Sequence, residues 1–275
     1  MIGLAALVSL WLAGPPAETD TASSTQLAER VADWKRAYPA LHITAIDGLG
    51  FVLATPPGAP YRGRVVELIR QVHGSARTFF GDRVPTLTDE PWLVVVWPDK
   101  ASYRRFGRRH LDAAVPDLGF ADPKARLIAI DHGPGEGTLA HELMHPVLSR
   151  VFPRAPPWLT EALPALYEHK SFTPLSFFRN WRARHVRREV SLPELFGASL
   201  AAVRAEDHRH LVGLGRHLLV FLHERGRLVD YVDKLMRRLD ADPTAPHLAS
   251  LEALVSVWPD FELERFTGEL VRWLR

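Results

Sequence analysis

Ala125-Arg126-Leu127-Ile128-Ala129-Ile130-Asp131, then Gly133-Pro134-Gly135, then Thr138-Leu139-Ala140-His141-Glu142-Leu143-Met144-His145 is the stretch that decides the fold of this chain. The first segment alternates and carries β-branched residues, so it reads as a strand. Glycine and proline then make a loop. The third segment opens a helix filled with Leu139, Ala140, Leu143, Met144, Val147 and Leu148. Such a helix is expected to be mostly buried. A buried histidine or glutamate is costly unless it is paired or bound to a metal. His141, Glu142 and His145 are therefore the residues that need an explanation.

Residues four apart on a helix lie one above the other on the same face. His141 and His145 can thus hold one metal ion, and Glu142 can reach a water on that ion. H-E-x-x-H is the zinc-hydrolase signature. Shuffling this composition would produce it in roughly one chain in thirty, so its surroundings matter. A catalytic zinc needs a third protein ligand, with water in the fourth position. Pro156-Pro157-Trp158-Leu159-Thr160-Glu161-Ala162-Leu163-Pro164-Ala165-Leu166-Tyr167-Glu168 begins a second helix, with proline in its first turn, where it is normal. Fifteen residues separate His145 from Glu161, and an antiparallel return would bring Glu161 back beside the first helix. Alone, Glu161 reads as a first-turn carboxylate that complements the helix dipole. Beside H-E-x-x-H it reads as the third ligand, with Glu168 the next candidate.

H-E-L-M-H followed by W-L-T-E-A-L-P-A-L-Y-E resembles the gluzincin branch of the zinc metallopeptidases, in its peptidase-MA-like families. The resemblance implies a Zn²⁺ held by His141, His145 and Glu161, with Glu142 as general base on a zinc-bound water. Its specific part covers Leu139 to Glu168. Ser191 to Phe196 and the helix around Gly213–Leu222 are similar in layout to the helical half that follows the motif in those families. Three positions depart from the pattern. Ala162 stands where Gly is usual. Pro164 stands where a small helix former is usual, and its ring would meet the carbonyl of Thr160 in a continuing helix. Pro146 removes a backbone donor and disfavours helical geometry at His145, so the motif helix is expected to kink or stop there.

The expected function is hydrolysis of peptide bonds in a peptide or protein substrate. The alternative is a non-catalytic binding or scaffold protein on a gluzincin fold. A closed structural zinc site would more often use cysteine, and the chain has none. A donor for the tetrahedral oxyanion is also needed; His208, His210, Tyr231 and Tyr167 are the candidates.

The 275 residues, 47% of them hydrophobic, suffice for one large domain or two small ones. A net charge of +2 argues against a nucleic-acid partner. The arginines at 104–105, 108–109 and 179–188 read as solvated helix faces, and Arg182, Arg184, Arg187 and Arg188 lack the interleaved aromatics of a stacking platform. Absence of cysteine excludes disulfides and thiolate metal sites. Ile2 to Ala13 is almost wholly apolar and ends in Gly14-Pro15-Pro16-Ala17, the plan of a secretory signal peptide. The run is too short to span a bilayer. Residues 1–17 are expected to be removed near Ala13 to Ala17, leaving an exported protein, periplasmic or extracellular, with no stable membrane span.

Residues 18–24 read as a linker and 25–275 as the zincin-like domain. Helices are expected over Leu27–Tyr38, Tyr61–Phe80 and from Lys100. A hairpin is expected at Ile43–Ile46 and Phe51–Ala54, and a buried strand at Trp92–Trp97. After the motif helix come helices near 158–169, 174–187, 193–203, 210–225, 228–239 and 260–274. The fold class is α+β and zincin-like, a small mixed sheet lobe (25–150) followed by a mainly helical lobe (151–275). The Ala125–Asp131 strand is expected to be the sheet edge beside the cleft, where an extended peptide could add.

Overall fold

Phe51-Val52-Leu53-Ala54, Trp92 to Val96 and Leu127 to Ile130 are apolar without a break, which suits strands covered on both faces. The computed structural model describes residues 21–111, 114–168, 191–204 and 209–274. In it these runs are the middle of a five-stranded sheet. The strands are β1 (His42–Ile46), β2 (Phe51–Thr55), β3 (Trp92–Trp97), β4 (Gly119–Asp122) and β5 (Leu127–Asp131), in the order β1-β2-β3-β5-β4. β2, β3 and β5 run parallel, and β1 and β4 pair antiparallel at the two ends. Alternate residues serve two cores. Phe51, Leu53, Val94, Val96, Ile128 and Ile130 face α2 (Arg62–Phe80) and α4 (Glu136–Val151). Val52, Ala54, Leu93, Val95, Leu127 and Ala129 face α1 (Thr21–Ala37) and α3 (Lys100–His110). The expected hairpin forms, with Ile46 opposite Phe51.

The expectation that the Ala125–Asp131 strand lies at the edge is corrected. β5 is interior, and β4 pairs with it from Gly119 opposite Ile130 to Asp122 opposite Leu127. Gly119-Phe120-Ala121-Asp122 is too short and mixed to show a period. Ala125 and Arg126 belong to the tight turn between the two strands. There Arg126 adopts φ 49°, and Asp122 Oδ1 accepts from the amides of Lys124 and Ala125 at 2.9 and 3.3 Å.

The first core continues without interruption into the helical half. This comprises α5 (Pro157–Ala165), α6 (Leu192–Gly197), α7 (Leu200–Arg204), α8 (Arg209–Glu224), α9 (Leu228–Ala241), α10 (Pro246–Val257) and α11 (Leu263–Leu274). The chain is thus α+β, a sheet followed by a mostly helical remainder. Pro146 does not stop the motif helix, which runs on to Val151. Proline forfeits its own donor, but buried Val147, Leu148 and Val151 hold the last turn against the core. α5 is shorter than expected. It ends one residue after Pro164, in turns from Leu166 N–H to Leu163 O (3.0 Å) and Tyr167 N–H to Pro164 O (2.9 Å).

The single helix expected near 193–203 is two, because Ser199 caps a new start by accepting from Ala202 N–H at 3.1 Å. α10 was not expected; its apolar residues lie all round it, so no stripe marks it. α1 takes in 21–24, read as linker. The signal-peptide residues 1–17, the 174–187 helix and the arginines at 179–188 lie outside the described residues. Among the described residues no helix is long and apolar enough to cross a membrane.

Candidate metal centre

α4 presents His141, Glu142 and His145 from a helix whose Leu139, Ala140, Leu143, Met144, Val147 and Leu148 are buried. The chain turns at Phe152–Pro156, where Ala155 N–H donates to Phe152 O at 3.0 Å, and α5 returns beside α4. That return carries Glu161 to the two imidazoles. Its Oε2 lies 3.4 Å from His141 Nε2 and 3.8 Å from His145 Nε2. The three ligand atoms all fall within 4.8 Å of one another. Two metal–ligand bonds of about 2.1 Å at a tetrahedral angle put their ligand atoms about 3.4 Å apart. The spacing therefore fits a single ion between them. Side chains of His141, His145 and Glu161 are only 15, 16 and 13% exposed, so the cluster is too dry to leave uncompensated charge.

Glu142 Oε2 stands 3.9 Å from His145 Nε2, on the same side as the cluster. Its residue is 9% exposed. A carboxylate there can accept a proton from a water near the ligand atoms.

The other nitrogen of His141 has its own partner. Nδ1 donates to Glu168 Oε1 at 3.0 Å, which turns Nε2 toward Glu161. Burial opposes a positive charge on His141, but hydrogen bonds to Glu161 and Glu168 outweigh it and push its pKa up to about 10. The same carboxylates that favour a proton there favour a metal cation. Burial also opposes ionisation of Glu168, but the His141 hydrogen bond and the Arg216 cation outweigh it and hold its carboxyl below the usual range. Arg216 donates to Glu168 Oε2 at 3.1 Å.

Arg216 carried no signal in the sequence. It reaches Glu168 because α8 presses closely on α5. A Cβ on Gly215 would lie 2.9 Å from Ala162 Cβ and 3.1 Å from the Trp158 ring. Ala162 is small because Gly215 faces it, so the departure from glycine at that position has a partner across the interface. Gly137 plays a similar part at the start of α4, where a Cβ would come within 2.5 Å of Glu168 O.

The structure brings together His141, Glu142, His145 and Glu161, and puts Glu168 behind His141. The oxyanion candidates differ in their surroundings. Tyr231 is fully buried, and its hydroxyl donates to Ser250 O at 3.3 Å between α9 and α10. Tyr167 is buried with no hydrogen-bond partner for its hydroxyl among the described residues, and burial raises its pKa. His210 Nε2 lies 3.6 Å from Glu194 Oε1. His208 lies outside the described residues.

No protein-family model matches this chain, and no curated protein matches it closely enough to count as a relative. The reading of the site rests on its own residues.

Proposed function

We propose that this protein is an exported zinc-dependent peptidase of the gluzincin kind, hydrolysing peptide bonds within a zincin-like fold. The observation that carries the reading is the approach of Glu161 Oε2 to both His141 Nε2 and His145 Nε2, with Glu142 alongside. Zinc, when bound, supplies the Lewis acidity that polarises a carbonyl and lowers the pKa of water toward about 7. His141, His145 and Glu161 would hold it. Glu168 fixes the His141 ring. Glu142 takes a proton from the attacking water as its oxygen bonds to the carbonyl carbon. The same carboxyl then gives that proton to the leaving amine as the C–N bond breaks. β4, at the end of the sheet, offers an edge to an extended peptide.

One observation favours the alternative of a non-catalytic scaffold: the Tyr231 hydroxyl is spent on Ser250 O, away from any oxyanion role. Glu142→Gln separates the two readings. It keeps shape and ligands but cannot accept a proton. In a peptidase, zinc content stays near wild type while cleavage of casein or a mixed peptide library falls by roughly 10²–10⁴. A wild-type protein that binds one zinc and cleaves nothing in such a library is the scaffold. N-terminal sequencing of protein from its native host tests export, which predicts a start after Ala13 to Ala17.

A further inference from the structure

Trp97, Ser102, Arg105, Phe106 and Arg109 line a cavity of about 210 Å³. It has room for about seven waters at their liquid volume. Four of these residues sit on α3 at the three- and four-residue steps that share one helix face. Trp97 ends β3 and packs with the core between the sheet and α1 and α3. α4 packs in the other core, across the sheet, and the cavity shares no residue with the candidate metal centre.

The side chains around this cavity offer donors and no acid. Arg105 and Arg109 are exposed, and among the described residues neither forms a salt bridge. Asp117 is taken by Lys100 and Arg104, at 3.2 and 2.9 Å. The nearby Asp99 is held by the Ser102 amide and hydroxyl at 2.8 and 2.9 Å, and Arg105 acts on it only through space. The indole Nε1 of Trp97 is buried with no hydrogen-bond partner among the described residues. Like charges four apart on a helix repel, so Arg105 and Arg109 oppose each other until an anion joins them. Arg104 and Arg108 fit a solvated helix face; Arg105 and Arg109 instead border an enclosed space beside two aromatic rings, whose centroids lie 5.5 Å apart.

We propose that this cavity binds a small phosphate monoester carrying a ring, with the phosphate between Arg105 and Arg109 and the ring against Trp97 and Phe106. A phosphate is close to a dianion at neutral pH and accepts only, which matches two guanidinium forks better than a single carboxylate does. The aromatic walls give the organic part apolar and ring contacts. The assignment is independent of the peptidase reading.

The test is calorimetry with phenyl phosphate, inorganic phosphate and uncharged phenol on the full-length protein. Chelator is present, because phosphate oxygens also bind zinc. Phenyl phosphate should bind one site with a dissociation constant of about 1 mM or below. It should bind about threefold or more tighter than inorganic phosphate, and phenol should give no measurable heat. Arg105→Gln and Arg109→Gln should each weaken binding about fivefold or more. Arg108→Gln, on the same helix but outside the cavity, should stay within about twofold of wild type. All three arginines are exposed, so the variants should keep the wild-type melting curve. Equal losses in the three variants would mean diffuse surface charge and overturn the assignment. No binding, equal affinity for the two phosphates, or binding that appears only when zinc is restored would overturn it too. Sedimentation with vesicles containing anionic lipid covers the membrane alternative. Vesicle binding that needs Arg108 as much as Arg105, with no binding of phenyl phosphate, would make this a lipid-facing surface and end the cavity proposal.

Discussion

His141 Nδ1 donates to Glu168 Oε1 at 3.0 Å, on the opposite side of the ring from Glu161. Glu168 is therefore a positioning residue: it sets which nitrogen of His141 faces the cluster and is itself held by Arg216. Glu168→Gln should keep the fold but lower zinc affinity by roughly 10–100-fold, the range for losing a partner behind a metal-bound histidine. Competition with a chromophoric chelator reads it directly. Affinity equal to wild type would mean that the ring needs no such support.

Glu161→Gln goes further, because it removes a proposed ligand. Zinc added at a hundred times its dissociation constant should stabilise wild type by about 2.7 kcal/mol. Chelator should abolish that gain, and Glu161→Gln should never show it. Thermal melts with and without zinc, at fixed protein concentration, check both.

Gly215→Ala tests the coupling between helix packing and the site. The new Cβ would press on Ala162 and Trp158, which should cost about 1–3 kcal/mol and push Arg216 away from Glu168. Zinc affinity should then fall although no ligand has changed. Ala162→Gly in the same chain removes one of the two obstructions, so the double variant should recover part of both losses. Urea melts and zinc titrations on the four proteins of the cycle measure it.

Gly50 and Gly48 separate backbone strain from steric conflict. Both have positive φ, 70° and 74°, but a Cβ on Gly50 would lie 2.1 Å from the Leu87 carbonyl carbon and one on Gly48 meets nothing within 4 Å. Gly48→Ala should cost about 1 kcal/mol, for φ alone. Gly50→Ala should cost roughly 3 kcal/mol or more. Equal midpoints in urea would show that the Leu87 backbone can move aside.

Much of the fold was legible because its elements carry strong local patterns. The runs of β2, β3 and β5 and the stripes of α2 and α9 are of that kind. β4 and α10 were not, since one is four residues long and the other is apolar all round. The missing β4 also misplaced the edge of the sheet. Pro146 was expected to kink or stop the motif helix and does not stop it, whereas Pro164 lies close to a helix end. Burial of the turn beyond Pro146 outweighs the single lost hydrogen bond.

For the site, the sequence by itself determined that two histidines and a glutamate share a helix whose surroundings are apolar, since helical spacing and burial are local properties. It also marked Glu161 and Glu168 as carboxylates on the way back. Which of them faces both imidazoles was decided only by tertiary structure. The turn at Phe152–Pro156 and the Gly215–Ala162 contact set the position of α5 relative to α4 and α8. Arg216 lies forty-eight residues from Glu168, and no local pattern can report a contact at that separation. The polar partners of this site are set by how closely helices pack, and that depends on side chains meeting from distant parts of the chain.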